Sequence, residues 1–128
     1  MKITLNQEEL IEVIHNALCN GLGWISGYGL ELNISQEDYQ KAKANIQTEN
    51  TICYEDVLIQ HLKDGNALEF YDNEQEEDVS FTLESAKLSL EGNENVASHI
   101  LDMINEQDDA ITADCILQTC LYDDVIFG

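Results

Sequence analysis

Ala67-Leu68-Glu69-Phe70-Tyr71 and Val79-Ser80-Phe81-Thr82-Leu83 are the two stretches on which the fold class turns. In each, apolar and polar side chains alternate, the period of a strand with one face buried. Between them lies Asp72-Asn73-Glu74-Gln75-Glu76-Glu77-Asp78, a polar run without glycine. Two-residue hairpin turns need residues that accept a positive φ, so this segment predicts an antiparallel hairpin closed by a longer loop. Upstream, Leu30, Leu32 and Ile34 alternate with Glu31 and Asn33 and predict a third, short strand.

The rest of the chain reads as helix. Asn6, then Gln7-Glu8-Glu9, then apolar residues at 10, 11, 14, 17 and 18 give an N-cap, an acidic first turn and a helical stripe. This helix is expected to stop at Asn20-Gly21, because the segment from Gly21 to Gly29 carries four glycines and reads as a turn-rich connector. Ser35 with Asp38 predicts a second helix over 36–45. Tyr54, Val57, Leu58, His61 and Leu62 share the face of a third, closed by Asp64-Gly65. Thr82 caps a helix to about Glu91, Val96, Ile100, Met103 and Ile104 line another over 95–106, and a last one starts near Thr112. The chain ends on Val125-Ile126-Phe127-Gly128, an apolar tail expected to dock. Together these elements predict a single α+β domain over 1–128, with helices packed on a small, mainly antiparallel sheet containing a β-hairpin.

A chain of 128 residues with 44% apolar composition can bury a core of its own. The charge is more telling, since 26 acidic residues face five lysines and no arginine, for a net charge of −21. Most of it lies in the C-terminal half, where Lys87 is the only lysine. Such a chain repels nucleic acid and anionic lipid, and the lack of arginine removes the usual bidentate ligand for phosphate and carboxylate. A charged partner is therefore expected to be basic. No apolar run reaches membrane-spanning length and the N-terminus lacks signal-peptide character, so a cytoplasmic location is expected.

No motif names a reaction. Gly-x-Ser-x-Gly, a Gly-rich phosphate loop and His-Glu-x-x-His are all missing from the sequence. His15, His61 and His99 each sit inside a predicted helix and read as structural or surface residues. Cys19, Cys53, Cys115 and Cys120 have no metal-ligand spacing and read as reduced thiols filling small core positions. Asp72, Glu74 and Glu76 alternate like calcium ligands, but the turn glycine is absent and Leu83 stands where a bidentate Glu is needed. No enzyme activity, cofactor or metal is therefore expected.

The acidic loop is the candidate interface. If extended, Asp72, Glu74, Glu76 and Asp78 would line one face at about 6.8 Å spacing, a row that imitates backbone phosphates; Glu77 adds to it. Asp102, Glu106 and Asp109 form a second acidic stripe that would continue the surface. The plainer alternative is that these charges only solvate a turn and discourage edge-to-edge aggregation. Trp24, flanked by glycines, reads first as a core residue and second as an exposed interface anchor.

The stretch Thr112-Ala113-Asp114-Cys115-Ile116-Leu117-Gln118-Thr119-Cys120-Leu121-Tyr122-Asp123-Asp124-Val125-Ile126-Phe127-Gly128 resembles the ending of small acidic proteins encoded by bacteriophages of gut bacteria. These end in a similar Ala-Asp-Ala-x-Leu-Gln pattern, from which Cys115 and Tyr122 depart by replacing Ala and Phe. Tyr54-Glu55-Asp56-Val57-Leu58-Ile59-Gln60, with Lys63-Asp64-Gly65, is similar to their middle helix. The resemblance carries over no reaction and no catalytic residue. It implies a phage protein in a host cytoplasm that occupies the nucleic-acid site of a host protein. Two rival readings stay open: a self-assembling accessory protein joined through apolar surface at Trp24 and Ile126-Phe127, and a small-molecule-sequestering domain using the Gly21–Gly29 connector as a pocket lip.

Overall fold

The computed structural model describes residues 3–105 and 110–127. Helix α1 spans Gln7–Gly27. It starts where expected: the Asn6 side chain accepts from the Glu9 amide at 2.8 Å, and the Glu9 carboxylate accepts from the Asn6 amide at 3.1 Å. It does not stop at Asn20-Gly21, however, and the expected connector is helix through Gly27. The reason lies across the core in α6 (Ala110–Tyr122), against which α1 packs along its length. A methyl group at Gly21 would stand 2.8 Å from Leu117 Cδ1 and 3.1 Å from the Ala113 backbone. Gly21 is a contact point between two helices rather than a terminator. Tertiary packing overrides the roughly 1 kcal/mol by which glycine disfavours a helix interior.

The remaining elements follow the expected order. Strand β1 (Leu30–Leu32) leads to α2 (Gln36–Ala44), capped by Ser35, whose hydroxyl accepts from the Asp38 amide at 3.1 Å. Helix α3 (Tyr54–Lys63) begins at Cys53, whose amide donates to Asp56 at 3.0 Å. The second oxygen of Asp56 lies 2.8 Å from His15 Nε2, tying α3 to α1. The hairpin follows as β2 (Leu68–Asp72) and β3 (Glu77–Phe81), then α4 (Leu83–Gly92), capped reciprocally by Thr82 and Ser85. The helix expected over 95–106 is a 3-10 turn at Glu94–Val96 followed by α5 (Ala97–Ile104).

The sheet is antiparallel with order β1-β2-β3. The fold is α+β: helices cover one face of this sheet and leave the other to solvent. Leu30, Leu68, Phe70 and Phe81 point inward, joining Leu10, Ile14, Leu18, Leu58, Ile100, Ile116 and Leu117 in one core. Each such side chain contributes about 1.5–3 kcal/mol by leaving water. Of the cysteines read as core, Cys120 is buried and Cys115 partly so, whereas Cys19 and Cys53 are exposed. Trp24 is also outside, 50% exposed on the last turns of α1. Among the described residues no helix is long and apolar enough to cross a membrane.

The two interior glycines of α1 should respond oppositely to a methyl group. Gly21→Ala forces its Cβ into Leu117 and should destabilise by about 1–3 kcal/mol. Gly23 has nothing within 4 Å of an added Cβ, so Gly23→Ala should stabilise by up to about 1 kcal/mol. Urea unfolding midpoints of the two variants, compared with the parent, check both signs.

Candidate functional site

The acidic run at 72–78 is not an extended row. Strands β2 and β3 close on each other as far as the pair Asp72 and Glu77, so the chain reverses within residues 73–76. The loop is shorter than expected and achieves this without glycine. Glu76 takes the left-handed conformation itself, at φ 53°. Three contacts compensate. Asp72 Oδ1 accepts from the amides of Glu74 at 2.9 Å and Gln75 at 3.0 Å, and the Asn73 side chain donates to the Gly29 carbonyl at 2.9 Å. Gly29, at φ +96°, turns its carbonyl toward the loop and also receives the Asn73 amide at 3.0 Å.

This chemistry takes Asp72 off the surface. It is fully buried, and its second oxygen accepts a hydrogen bond from the Tyr122 hydroxyl. Asp72 is thus a fastener between hairpin and α6. Glu74 and Glu76 are exposed on the loop, and Glu77 and Asp78 are exposed on β3. Asp102 is half-buried on α5, whose packing partners are α1 and α6. Glu106 and Asp109 lie outside the described residues.

Strand register gathers a different set of carboxylates. Glu31 pairs with Tyr71, which pairs with Asp78; on the next outward row, Glu69 pairs with Ser80. Directly opposed residues point to the same face, and the inward residues are Leu30, Leu68 and Phe70. Glu31, Glu69 and Asp78 therefore stand on the solvent face around the exposed ring of Tyr71. Neighbouring strands lie about 4.8 Å apart, so these carboxylates are separated by about 8–10 Å, about one Debye length at 0.1 M ionic strength. A depression of about 150 Å³ opens among Asn33, Glu69, Asp78 and Ser80, offering acceptors from four side chains to a cation. The strands contain no lysine. Sequence reading passed over Glu31 and Glu69 as the polar half of two strands, because only the register places them beside Asp78.

A second polar network holds the C-terminus. Gln118 Oε1 accepts from the amides of Ile126 at 2.9 Å and Phe127 at 2.8 Å, and its amide donates to Asp114 at 2.8 Å. Tyr28 donates to the other Asp114 oxygen at 2.9 Å and stacks on Phe127 at 5.3 Å. The tail docks through Phe127, leaving Val125 and Ile126 exposed. Among the described residues no group of three or more His, Cys, Asp or Glu side chains could hold a metal ion. Comparison with protein-family models, curated proteins and solved structures finds no match for the chain.

Both fastening phenols are held in the protonated form. Burial and the Asp72 carboxylate push Tyr122 well above the ordinary tyrosine range, and the bond to Asp114, followed by burial, pushes Tyr28 up. A raised folded-state value stabilises the fold fully below the unfolded pKa of about 10, and that share is lost as pH rises through the folded value. Urea midpoints should therefore fall as pH climbs above about 10. Tyr122→Phe should be about 1–3 kcal/mol less stable at neutral pH, because buried Asp72 loses a donor, and should show a shallower alkaline decline.

Proposed function

We propose that this chain is a non-enzymatic acidic binding protein that occupies a basic surface of a partner, in the manner of a phage-encoded inhibitor imitating nucleic acid. The observation that carries the reading is the solvent face of the sheet. Glu31, Glu69 and Asp78 surround exposed Tyr71 on three strands without a lysine, and Glu74, Glu76 and Glu77 extend the charge around the hairpin end. Sheet residues are positioned by the ladder, so these carboxylates meet a partner without the ordering entropy that a floppy acidic loop would lose. Tyr71 gives a lysine or arginine an aromatic surface to lie on, the kind of contact that anchors protein interfaces. The face is negative and carried on a hydrogen-bonded ladder, which suits the cationic track of a protein that binds nucleic acid.

The reading differs from the sequence expectation in where the charge sits. Asp72 belongs to the fold's interior, so the partner-facing set is Glu31, Glu69 and Asp78 with the loop residues Glu74 and Glu76, and Glu77 at the hairpin end. A second reading, self-association, draws on the exposure of Trp24 and Ile126. Against it stands the charge of −21 on every copy, which opposes close approach at low ionic strength.

Affinity capture from a bacterial lysate at two ionic strengths tests the proposal. A basic, nucleic-acid-binding protein should be retained at low salt, released at high salt and displaced by added duplex DNA. The combined variant Glu31→Gln, Glu69→Gln, Asp78→Asn should weaken the captured complex at least about tenfold while leaving the urea midpoint unchanged or slightly raised. Capture that ignores both salt and this variant would overturn the proposal. Light scattering that shows a stable oligomer at micromolar concentration would favour self-association instead.

A further inference from the structure

A groove of about 380 Å³ runs along the open side of β1, between that strand and the second half of α1. Leu22, Gly23 and Ser26 form one wall, Leu32 and Phe70 the other, and Tyr54 closes an end. Leu22 and Leu32 are only half-buried there, and Tyr54 is exposed. No lysine lines the groove, and Glu31 stands on its rim.

The hydrogen-bond phase of β1 says what this edge can accept. Asn33 donates to the Glu69 carbonyl at 2.8 Å, and the Gly29 carbonyl accepts from Asn73 at 3.0 Å. In an antiparallel ladder these bonded positions alternate, so residues 29, 31 and 33 turn their backbone groups toward β2. Leu32, between two of them, turns its amide and carbonyl to the open side. Leu30 does likewise but is buried, so the accessible edge begins at Leu32. Its side chain faces the groove, while Glu31 beside it faces the outer, acidic side of the sheet.

We propose that this edge is a docking site for an extended cationic segment of the partner, added antiparallel to β1 as a fourth strand. This inference rests on the acidic-binder reading and deepens it. A strand added here sends alternate side chains to opposite faces. Those opposite Leu32 enter the groove among Leu22, Leu32 and Tyr54 and must be apolar. Those opposite Glu31 lie beside that carboxylate, on the same face as Glu69 and Asp78 of the next two strands, and must be cationic. The recognised pattern is therefore lysine or arginine alternating with valine, isoleucine or leucine. Charge also argues for such a partner over a second copy of this chain, because β1 paired with itself would bring two Glu31 side chains and two acidic faces together.

A nine-residue synthetic peptide alternating Lys and Val is the probe, titrated at low salt into the isotopically labelled full chain. Amide signals of Gly23, Ser26, Leu32 and Asn33 should shift. Methylating the backbone nitrogens of the valines, which face β1 in the antiparallel register, should weaken binding at least about tenfold; methylating those of the lysines should leave it within about twofold. Gly23→Leu, whose Cβ meets nothing within 4 Å, should fill the groove and abolish binding while the protein stays folded, as an unchanged urea midpoint would show. If both methylated peptides bind equally and shifts are confined to residues 69–80, edge addition is overturned while the acidic-binder reading stands. If no cationic peptide binds even at low salt, both are overturned. A stable dimer whose formation shifts the same β1 amides gives the edge to a second copy and overturns the proposal.

Discussion

The close crossing of α1 and α6 at Gly21 is the constraint from which the rest of the molecule is hung. Because Gly21 has no side chain, Leu117 and the Ala113 backbone come to within about 3 Å of where its Cβ would be. That approach lets two long helices share one layer, with Ala17 and Ala113 buried nearby. Close-packed interiors tolerate little slack, so the separation of this pair fixes where both helices meet the sheet. At the end of α1, Tyr28 reaches Asp114 and Gly29 turns the chain into β1. At the end of α6, Tyr122 reaches Asp72 at the base of the hairpin. The outer sheet face and the groove beside β1 are consequences of the same crossing, because the position of α1 defines one wall of that groove.

The molecule has many carboxylates and very few cations, and its buried acids reflect this. Asp72 is satisfied by two amides and a phenol, and Asp114 by a phenol and a carboxamide. Asp64 is exposed yet follows the same pattern, accepting from Asn45 and Gln60, and these bonds hold its carboxyl below the usual range. Neutral donors can satisfy a carboxylate without the cost of desolvating a second ion. A chain with five lysines and no arginine thus folds its acids inward where donors exist and leaves the others outside.

Much of the fold was legible because caps and alternation are local. Asn6, Ser35 and Thr82 each marked a helix start that the structure keeps, and the alternation in residues 67–71 and 79–83 marked the hairpin. What failed was long-range. Asn20-Gly21 carries a stop signal by local rules, and only the presence of Leu117 and Ala113 across the core shows why the helix continues. Trp24, read first as core, is exposed on the last turns of that helix. The extended acidic row gave way for a related reason: the alternation of acids in residues 72–78 was real, but the pairing of Asp72 with Glu77 uses those residues for a reversal and buries Asp72. Glu31 and Glu69 came forward only once three strands distant in sequence were set in register.

Concentrated negative charge on one sheet face also bears on the fold's own energetics. Glu31 and Asp78 flank Tyr71 on adjacent strands, and Glu69 lies one row away, so bringing β1, β2 and β3 together brings like charges together. That repulsion opposes closure of the sheet, and it is offset by the inward residues of the same strands, Leu30, Leu68, Phe70 and Phe81. A cation bound on the outer face would remove the repulsion without touching the core. Binding and sheet stability are therefore linked: whatever neutralises these carboxylates also tightens the ladder that positions them. The apolar contacts on the inner side are thus what let a domain this small hold several carboxylates on one sheet face.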